Sequence, residues 1–378
     1  MDVTILGSIA APRHWGRVGA NIPMAKWLSG LTAGLSACGC HPLLVGHLYE
    51  ASWPRGRLFA DPNTDLDPKY ITSPIRFSNL PFIRSKELIH RYRLAIHRYN
   101  KQKVVSGKLL ITYNPYPWHL SAAHLWQSLG GKWINIVLDY SESDLGLNWS
   151  SFLNQCGKAN GQVFLSWWAY QNFPGSNKLH LDSGVSELNF STAGDSGMLK
   201  STKYALYAGK LSADGGMQLM AETFLQTPGA DLEFRVVGQG KSEVIEAAAR
   251  KDHRIKVIGF VDEQKLKSEL LNADVFINPR DPSNALNKMI FPSKLLHYLS
   301  YGKPVVSTWT DGLAPEYKKH LDLVPKANSQ AFSQVLRTVL DRPSSCSKER
   351  LDALRSFLVH DRNWNKQASR LLEFMNNL

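Results

Sequence analysis

The sequence predicts an α/β protein of two doubly wound, parallel-sheet domains facing each other across a cleft. Short apolar runs alternate with one-sided helical patterns along the chain, and glycines fall at the ends of those runs. The alternation restarts after a polar, Ser/Thr/Gly-rich stretch at Asn189–Lys203. A length of 378 residues is enough for two such domains, each with its own core. The boundaries read from these shifts are 1–188, a linker at 189–203, a second domain at 204–360 and a terminal helix at 361–378.

Composition narrows the class. Apolar content of 43% and charged content of 20% are ordinary for a soluble protein. No uninterrupted apolar run approaches the ~18 residues of a spanning helix. The opening MDVTILGS enters a strand without a basic leader, unlike a secretory signal. Cys38, Cys40, Cys156 and Cys346 lack zinc spacing and read as reduced thiols, which implies a cytoplasmic setting. The net charge of +12 points to an anionic partner: nucleic acid, an acidic membrane face or a phosphorylated ligand.

In the first half, Val3–Leu6 is a strand, Gly7–Gly19 a loop and Asn21–Leu35 a helix; Leu43–Leu48 is the next strand. Gly16, Arg17 and Gly19 make the loop a candidate ligand contact at the strand ends, or simply a basic surface loop. It lacks the Gly-Lys-Ser/Thr ending of a P-loop. Asp65-Leu66-Asp67 reads as a solvated turn or, less simply, a metal site at a diphosphate. Arg84–Lys108 carries eight Lys/Arg against one acid, with Leu88, Tyr92, Ile96 and Tyr99 at helical spacing. Such a basic amphipathic helix lies either on its own core or, helped by Leu80-Pro81-Phe82-Ile83, on an anionic membrane through 80–108. No stacking pattern accompanies it, so nucleic acid is not expected. Lys108–Tyr113 and Trp133–Leu138 are buried strands around a helix at Leu120–Leu129. Asp139 follows the second strand, as a general base at the crevice or a cap of the next turn.

In the second half, strands at Tyr204–Tyr207, Leu232–Val237, Ile255–Ile258 and Val275–Ile277 alternate with helices at Met217–Leu225, Ser242–Lys251 and Glu263–Leu271. Gly238-Gln-Gly240 begins a dinucleotide fingerprint, with Asp262 about 20 residues on. Glu243 at the third glycine position makes a nicotinamide site a weak alternative. Met289–Phe291 is an apolar run, and Pro292 sets up a helix that Ser293 would cap and Gly302 would end. Lys294 adds a charge beside the helix N-terminus, where phosphate is attracted.

Tyr207-Ala-Gly-Lys-Leu-Ser, Val236-Val-Gly-Gln-Gly, Val257-Ile-Gly-Phe-Val and Phe291-Pro-Ser-Lys-Leu-Leu-His-Tyr-Leu-Ser-Tyr-Gly-Lys-Pro-Val-Val resemble the C-terminal half of GT-B glycosyltransferases of the "group 1" type. The N-terminal half matches in architecture alone. The resemblance implies two Rossmann-like domains, with a terminal helix at Trp364–Leu378 crossing back to the first. It implies a nucleotide-sugar donor on the second domain, and a glycan or lipid-linked acceptor on the first. Carried over residue by residue, Gly209 and Lys210 fall at the diphosphate, and Gly238 and Gly240 at the nucleotide. Gly259, Phe260 and Val261 fall at the base, and Ser293 and Lys294 at the phosphates. No metal or other cofactor is implied, because lysines and the helix dipole stabilise the departing diphosphate.

The departures from that pattern are Met289 and His297, where many members carry two glutamates, and Gly215 in place of a second lysine. The Ser-x-Lys-Leu-Leu arrangement is similar to that of the glucuronosyltransferase of xanthan assembly, an inverting enzyme whose aspartate base corresponds to Asp139. Both stereochemical outcomes stay open. Lys288 and Arg280 near the sugar end fit an acidic sugar by charge alone.

Overall fold

A computed structural model describes residues 1–14, 22–59, 65–101, 109–137, 149–190, 202–212, 215–342 and 348–378. The chain divides into two compact units, Met1–Gly184 with Asn363–Leu378, and Val185–Arg362.

The first unit is a seven-stranded parallel sheet in the order β3-β2-β1-β4-β5-β6-β7. Its strands are β1 (Asp2–Leu6), β2 (His41–Gly46), β3 (Thr72–Pro74), β4 (Leu109–Tyr113), β5 (Lys132–Val137), β6 (Gly161–Phe164) and β7 (Lys178–His180). Helices α1 (Ile22–Ala37), α2 (Arg84–Lys101), α3 (Pro117–Ser128), α4 (Trp149–Cys156) and α5 (Trp167–Asn172) connect them. Strands covered on both faces need continuous apolar runs, and Leu109–Tyr113 is buried at every position. The edge strand β3 lies in Glu50–Asn79, where the sequence shows no regular pattern. Trp167, Trp168 and Tyr170 lie on α5, and Ser166 caps that helix.

Three buried polar residues cross the centre of this sheet. Thr112 pairs with Asn135, and Asn135 with Gln162, directly opposite one another on β4, β5 and β6. Thr112 Oγ1 donates to Asn135 Oδ1 at 2.9 Å, and Asn135 Nδ2 donates to Gln162 Oε1 at 3.0 Å. Trp133 Nε1 donates to Thr112 Oγ1 at 2.8 Å. A one-residue slip would point all three into apolar packing unpaired, so the row pins the register.

The second unit is a six-stranded parallel sheet in the order β10-β9-β8-β11-β12-β13. Its strands are β8 (Lys203–Ala208), β9 (Leu232–Val237), β10 (Ile255–Gly259), β11 (Val275–Asn278), β12 (Val305–Ser307) and β13 (Asp322–Leu323). The helices are α6 (Met217–Gln226), α7 (Glu243–Lys251), α8 (Glu263–Asn272), α9 (Ala285–Met289), α10 (Ser293–Leu299), α11 (Ser329–Leu340) and α12 (Lys348–Ser356). Lys203, assigned to the linker from sequence, begins β8, and the Asn189 N–H donates to Ser300 O within this unit.

The last helix, α13 (Trp364–Asn376), belongs to the first unit and packs on α1. A Cβ on Gly30 would lie 2.0 Å from the Trp364 ring, and one on Gly34 would lie 2.4 Å from the Trp364 carbonyl oxygen. One helical turn apart, these glycines open a groove on α1 that Trp364 fills, edge-on to Trp27 at 5.6 Å. Both sheets are doubly wound, and their strand order reverses between β1 and β4 and between β8 and β11. Ligands of such sheets bind where the order reverses, beyond the carboxyl ends of the strands.

Candidate functional site

In the second unit the reversal point gathers most of the residues singled out from sequence. Gly209 and Lys210 leave β8, Gly238 and Gly240 leave β9, and Asn278-Pro279-Arg280 leave β11. The loops are laced by backbone bonds: the Gly209 N–H donates to Val237 O at 2.9 Å, the Gly238 N–H to Gly259 O at 2.9 Å, and the Leu211 N–H to Gln239 O at 2.9 Å. Gly238 has φ +152°, and a Cβ there would lie 1.7 Å from Gly209 O, so no side chain fits. Gly216, at φ +80°, likewise brings the start of α6 under Pro279, where a Cβ would lie 1.6 Å from the carbonyl oxygen.

Lys294 is the centre of this arrangement. Its Nζ lies 3.9 Å from the centroid of the Tyr207 ring, and a Cβ on Gly209 would be 3.3 Å from that nitrogen. Burial, and then the charge of Arg280, hold the Lys294 ammonium well below the usual lysine range. Lys294 makes no ion pair among the described residues. Arg280 is braced by α9: its Nη1 donates to Asn287 Oδ1 at 2.7 Å, and Asn287 Nδ2 donates to Asp281 O at 2.9 Å. Two cations are thus held at a strand-order reversal lined by bare backbone, an arrangement that accepts a polyanion.

The remaining expected residues have separate fates. Ser293 does not cap α10: Pro292 is the cap residue, Ser293 is the first helical position, and its side chain is exposed. With seven residues α10 is too short for a strong dipole, so the Lys294 charge is its main attraction for an anion. In the apolar run Met289–Phe291, Met289 ends α9, whose cap is Asn284, and Phe291 is buried. The Lys210 side chain is exposed, while its carbonyl accepts the Tyr207 hydroxyl at 2.9 Å. His297 is exposed one turn after Lys294, with Tyr301 edge-on at 5.5 Å. Gly259 ends β10, two strands from β8, and Phe260 and Val261 follow it, with the Phe260 ring exposed. Asp262 caps α8 through the Lys265 N–H at 2.7 Å, so the ribose acceptor of a dinucleotide site is already engaged. Gly16, Arg17, Gly19 and Asp139 lie outside the described residues.

Sequence reasoning passed over Tyr298, which stacks on Phe276 at 4.6 Å. Its hydroxyl donates to Ala208 O at 3.0 Å and accepts the Ala208 N–H at 2.8 Å, clamping β8 to α10. The clamp fixes Lys294 beside Gly209. The sequence signal was Tyr298 itself, a large aromatic on the buried face of the helix.

In the first unit, the carboxyl ends of β2 and β4 carry a histidine–aromatic cluster that was also missed. His119 Nδ1 donates to Asn114 O at 2.9 Å, which leaves Nε2 to accept from the Tyr49 hydroxyl at 3.3 Å. Tyr116 stacks on Trp118 at 5.1 Å. Burial holds His47 well below the ordinary histidine value and pushes His119 down to about 4, so both are neutral near pH 7. Asn114 has φ +61°, a left-handed conformation at the turn out of β4. The two acids of Asp65-Leu66-Asp67 act separately. Asp65 accepts both Arg57 Nη atoms at 3.1 and 2.8 Å, and Asp67 Oδ1 accepts the Lys69 N–H at 3.0 Å. That geometry is an ion pair and a turn, and among the described residues no cluster of three acids, histidines or cysteines is arranged for a metal.

Residues 202–342 match the sequence model of the family described as glycosyl transferases group 1. That match lies within the second unit. Over 128 residues the chain is 27% identical to the amylovoran biosynthesis glycosyltransferase AmsK of Erwinia amylovora, a match spanning 32% of this chain and 31% of that protein. Among solved structures, sucrose-phosphate synthase from Thermosynechococcus elongatus is similar with a TM-score of 0.70 at 14% identity, covering 100% of this chain and 98% of that one. Anabaena HepE in complex with UDP is similar with a TM-score of 0.70 at 13% identity, covering 100% of both chains. At such identities the likeness establishes the fold, which is GT-B, with two Rossmann-like domains. The matched residues span β8 to β13, so the Lys294 site lies among them.

Proposed function

We propose that the chain transfers a sugar from a nucleoside-diphosphate sugar to a glycan or lipid-linked acceptor, without a metal ion. The observation that carries the proposal is Lys294, half-buried over Tyr207 beside the bare backbone of Gly209, with Arg280 nearby and, among the described residues, no ion pair to Lys294. Burying an ammonium without a counter-charge is costly, and a bound diphosphate removes that cost. The same two cations stabilise the charge that grows on the diphosphate as the glycosidic bond breaks, the task a metal performs in other transferases. The first unit holds the acceptor in this reading. A cytoplasmic location on an acidic membrane face follows from a lipid-linked acceptor and the charge of +12.

The comparisons support parts of this reading. The Anabaena structures contain UDP and UDP-glucose, which makes a uridine nucleotide the first donor to test. The name of the Erwinia amylovora relative favours polysaccharide assembly. Asp139 as base, with inversion, rests on the resemblance to the xanthan enzyme. A second reading, a non-catalytic sugar-nucleotide-binding partner, is favoured by Met289 and His297 in place of the family's glutamates. A nucleotide-sugar epimerase would need no acceptor.

Calorimetric titration with UDP, GDP, ADP and NAD, with EDTA present throughout, tests the site. Micromolar binding of one nucleoside diphosphate is expected; binding of NAD alone, or no nucleotide binding in EDTA, would overturn the proposal. Turnover of the matching nucleotide sugar is then measured with and without acceptor. Turnover without acceptor to an epimer indicates the epimerase, and binding without turnover indicates the non-catalytic partner.

A further inference from the structure

The basic helix α2 does not offer its apolar face to anything outside the protein. Leu88, Tyr92 and Ile96 are fully buried, and the helix packs on α3. A helix lying in a membrane surface needs that face free, so α2 cannot be the inserting element. What it presents outward is a polar, basic-residue stripe: Lys86, His90, Arg93 and His97 are exposed and recur on one side of the helix.

The segment just before this helix, and the 53–59 segment bonded to it, expose large apolar side chains to an unusual degree. Phe82 is 95% exposed, Phe59 67%, Trp53 47%, Ile83 45% and Leu80 37%. They come from two segments that are clamped together. Phe59 bridges Ser78, the Trp53 N–H donates to Asn79 O at 3.0 Å, and the Asn79 N–H donates to Leu58 O at 2.8 Å. The buried Asn79 side chain donates to both Ala51 O at 2.7 Å and Arg57 O at 2.9 Å. Arg84 at the start of α2 donates to Ser52 Oγ at 3.2 Å. The five residues therefore form an ordered shelf, and a shelf of this kind marks an interaction surface.

Its charge environment identifies the partner. Arg55, Arg76 and Lys86 beside it are exposed. Among the described residues the acids of the same region are engaged internally: Glu50 and Asp65 by Arg57, Asp67 by the Lys69 N–H, and Glu87 by the Ser78 N–H and Arg91. Apolar rings, including an interfacial tryptophan, set among exposed cations match a bilayer surface of anionic lipid. We propose that the shelf of Trp53, Phe59, Leu80, Phe82 and Ile83 inserts into an anionic membrane while the outward stripe of α2 lies on the headgroups. This names the membrane contact of the transferase reading and rests on it for its lipid-linked acceptor.

The test is pelleting of the full chain with phosphatidylcholine vesicles, alone or mixed with phosphatidylglycerol, at low and high salt. UDP titration of each variant controls for folding. Wild type is expected to pellet with the anionic vesicles, and salt weakens the binding. Phe82→Ser lowers the partition coefficient roughly tenfold or more. Joint Lys86→Glu and Arg93→Glu substitution removes the preference for anionic lipid, at about fivefold or more per charge. Brominated lipid is expected to quench part of the tryptophan emission in wild type but not in Trp53→Phe. Equal pelleting of wild type and Phe82→Ser overturns the proposal. So does capture of a DNA oligonucleotide instead of vesicles, or self-association abolished by Phe82→Ser. Vesicle binding with no nucleotide binding would sink the transferase reading and leave the shelf, whereas nucleotide binding without vesicle binding would do the reverse.

Discussion

Lys294 is the residue on which the functional reading turns, and its environment fixes two expectations. Lys294→Ala should weaken nucleoside-diphosphate binding by about 2–4 kcal/mol, the loss typical of a desolvated charge on an anion. Binding constants from calorimetry check this, with thermal stability unchanged or raised because a half-buried cation that has no ion pair among the described residues is gone. The second expectation concerns protons. Burial and Arg280 depress the free protein's Lys294 value, while a bound diphosphate restores the charged form. Binding therefore takes up a proton at any pH between the depressed value and the ordinary lysine value of 10.5, and affinity falls as pH rises through that window. Buffers of different ionisation enthalpy report the uptake, and a pH-independent affinity would contradict it. The sequence showed Lys294 at a helix start but not why it matters there. Tyr207 and Gly209 lie more than eighty positions away, and only the folded β8 and α10 bring them to it. The capping role of Ser293 failed for a local reason: proline at 292, φ −74° and ψ 81°, already occupies the cap position.

At the level of elements, close approach decides what is tolerated. Gly34→Ala should loosen α13 from α1 by about 1–3 kcal/mol, because the added methyl meets a backbone carbonyl that cannot move aside. Limited proteolysis near residue 363, faster in the variant than in wild type, would show it. Asn135→Ala should cost about 2–3 kcal/mol, since both Thr112 and Gln162 lose a buried partner; denaturant midpoints check this. The strands and their glycine ends were legible in the sequence because doubly covered strands must be continuous apolar runs. The edge strand β3 was not, since Thr-Ser-Pro carries no such run. Nor was the Arg57–Asp65 pair, which joins loop residues through geometry that spacing does not encode. The two readings of the basic stretch 84–108 were equal in the sequence, and over the described part the buried Leu88, Tyr92 and Ile96 show it covering its own core.

For the molecule as a whole, neutral buried histidines occur in both units. His119 in the first and His320 in the second are each pushed down to about 4, chiefly by burial. An imidazole whose folded value lies below its unfolded value of 6.5 binds fewer protons when folded, so stability is lost as pH falls from about 6.5 toward 4. The loss is on the order of 3 kcal/mol for each of these histidines. Thermal melts across that range should show both units weakening, and a flat Tm would count against the buried neutral state. The docking of α13 on α1 bears on how the chain is made. The ribosome releases Met1–Gly184 long before Trp364 exists, so the Gly30–Gly34 groove stays open through the synthesis of the entire second unit. The half translated first is the half completed last, and a ribosome stalled anywhere before residue 364 holds a nascent chain whose first unit still lacks its final piece.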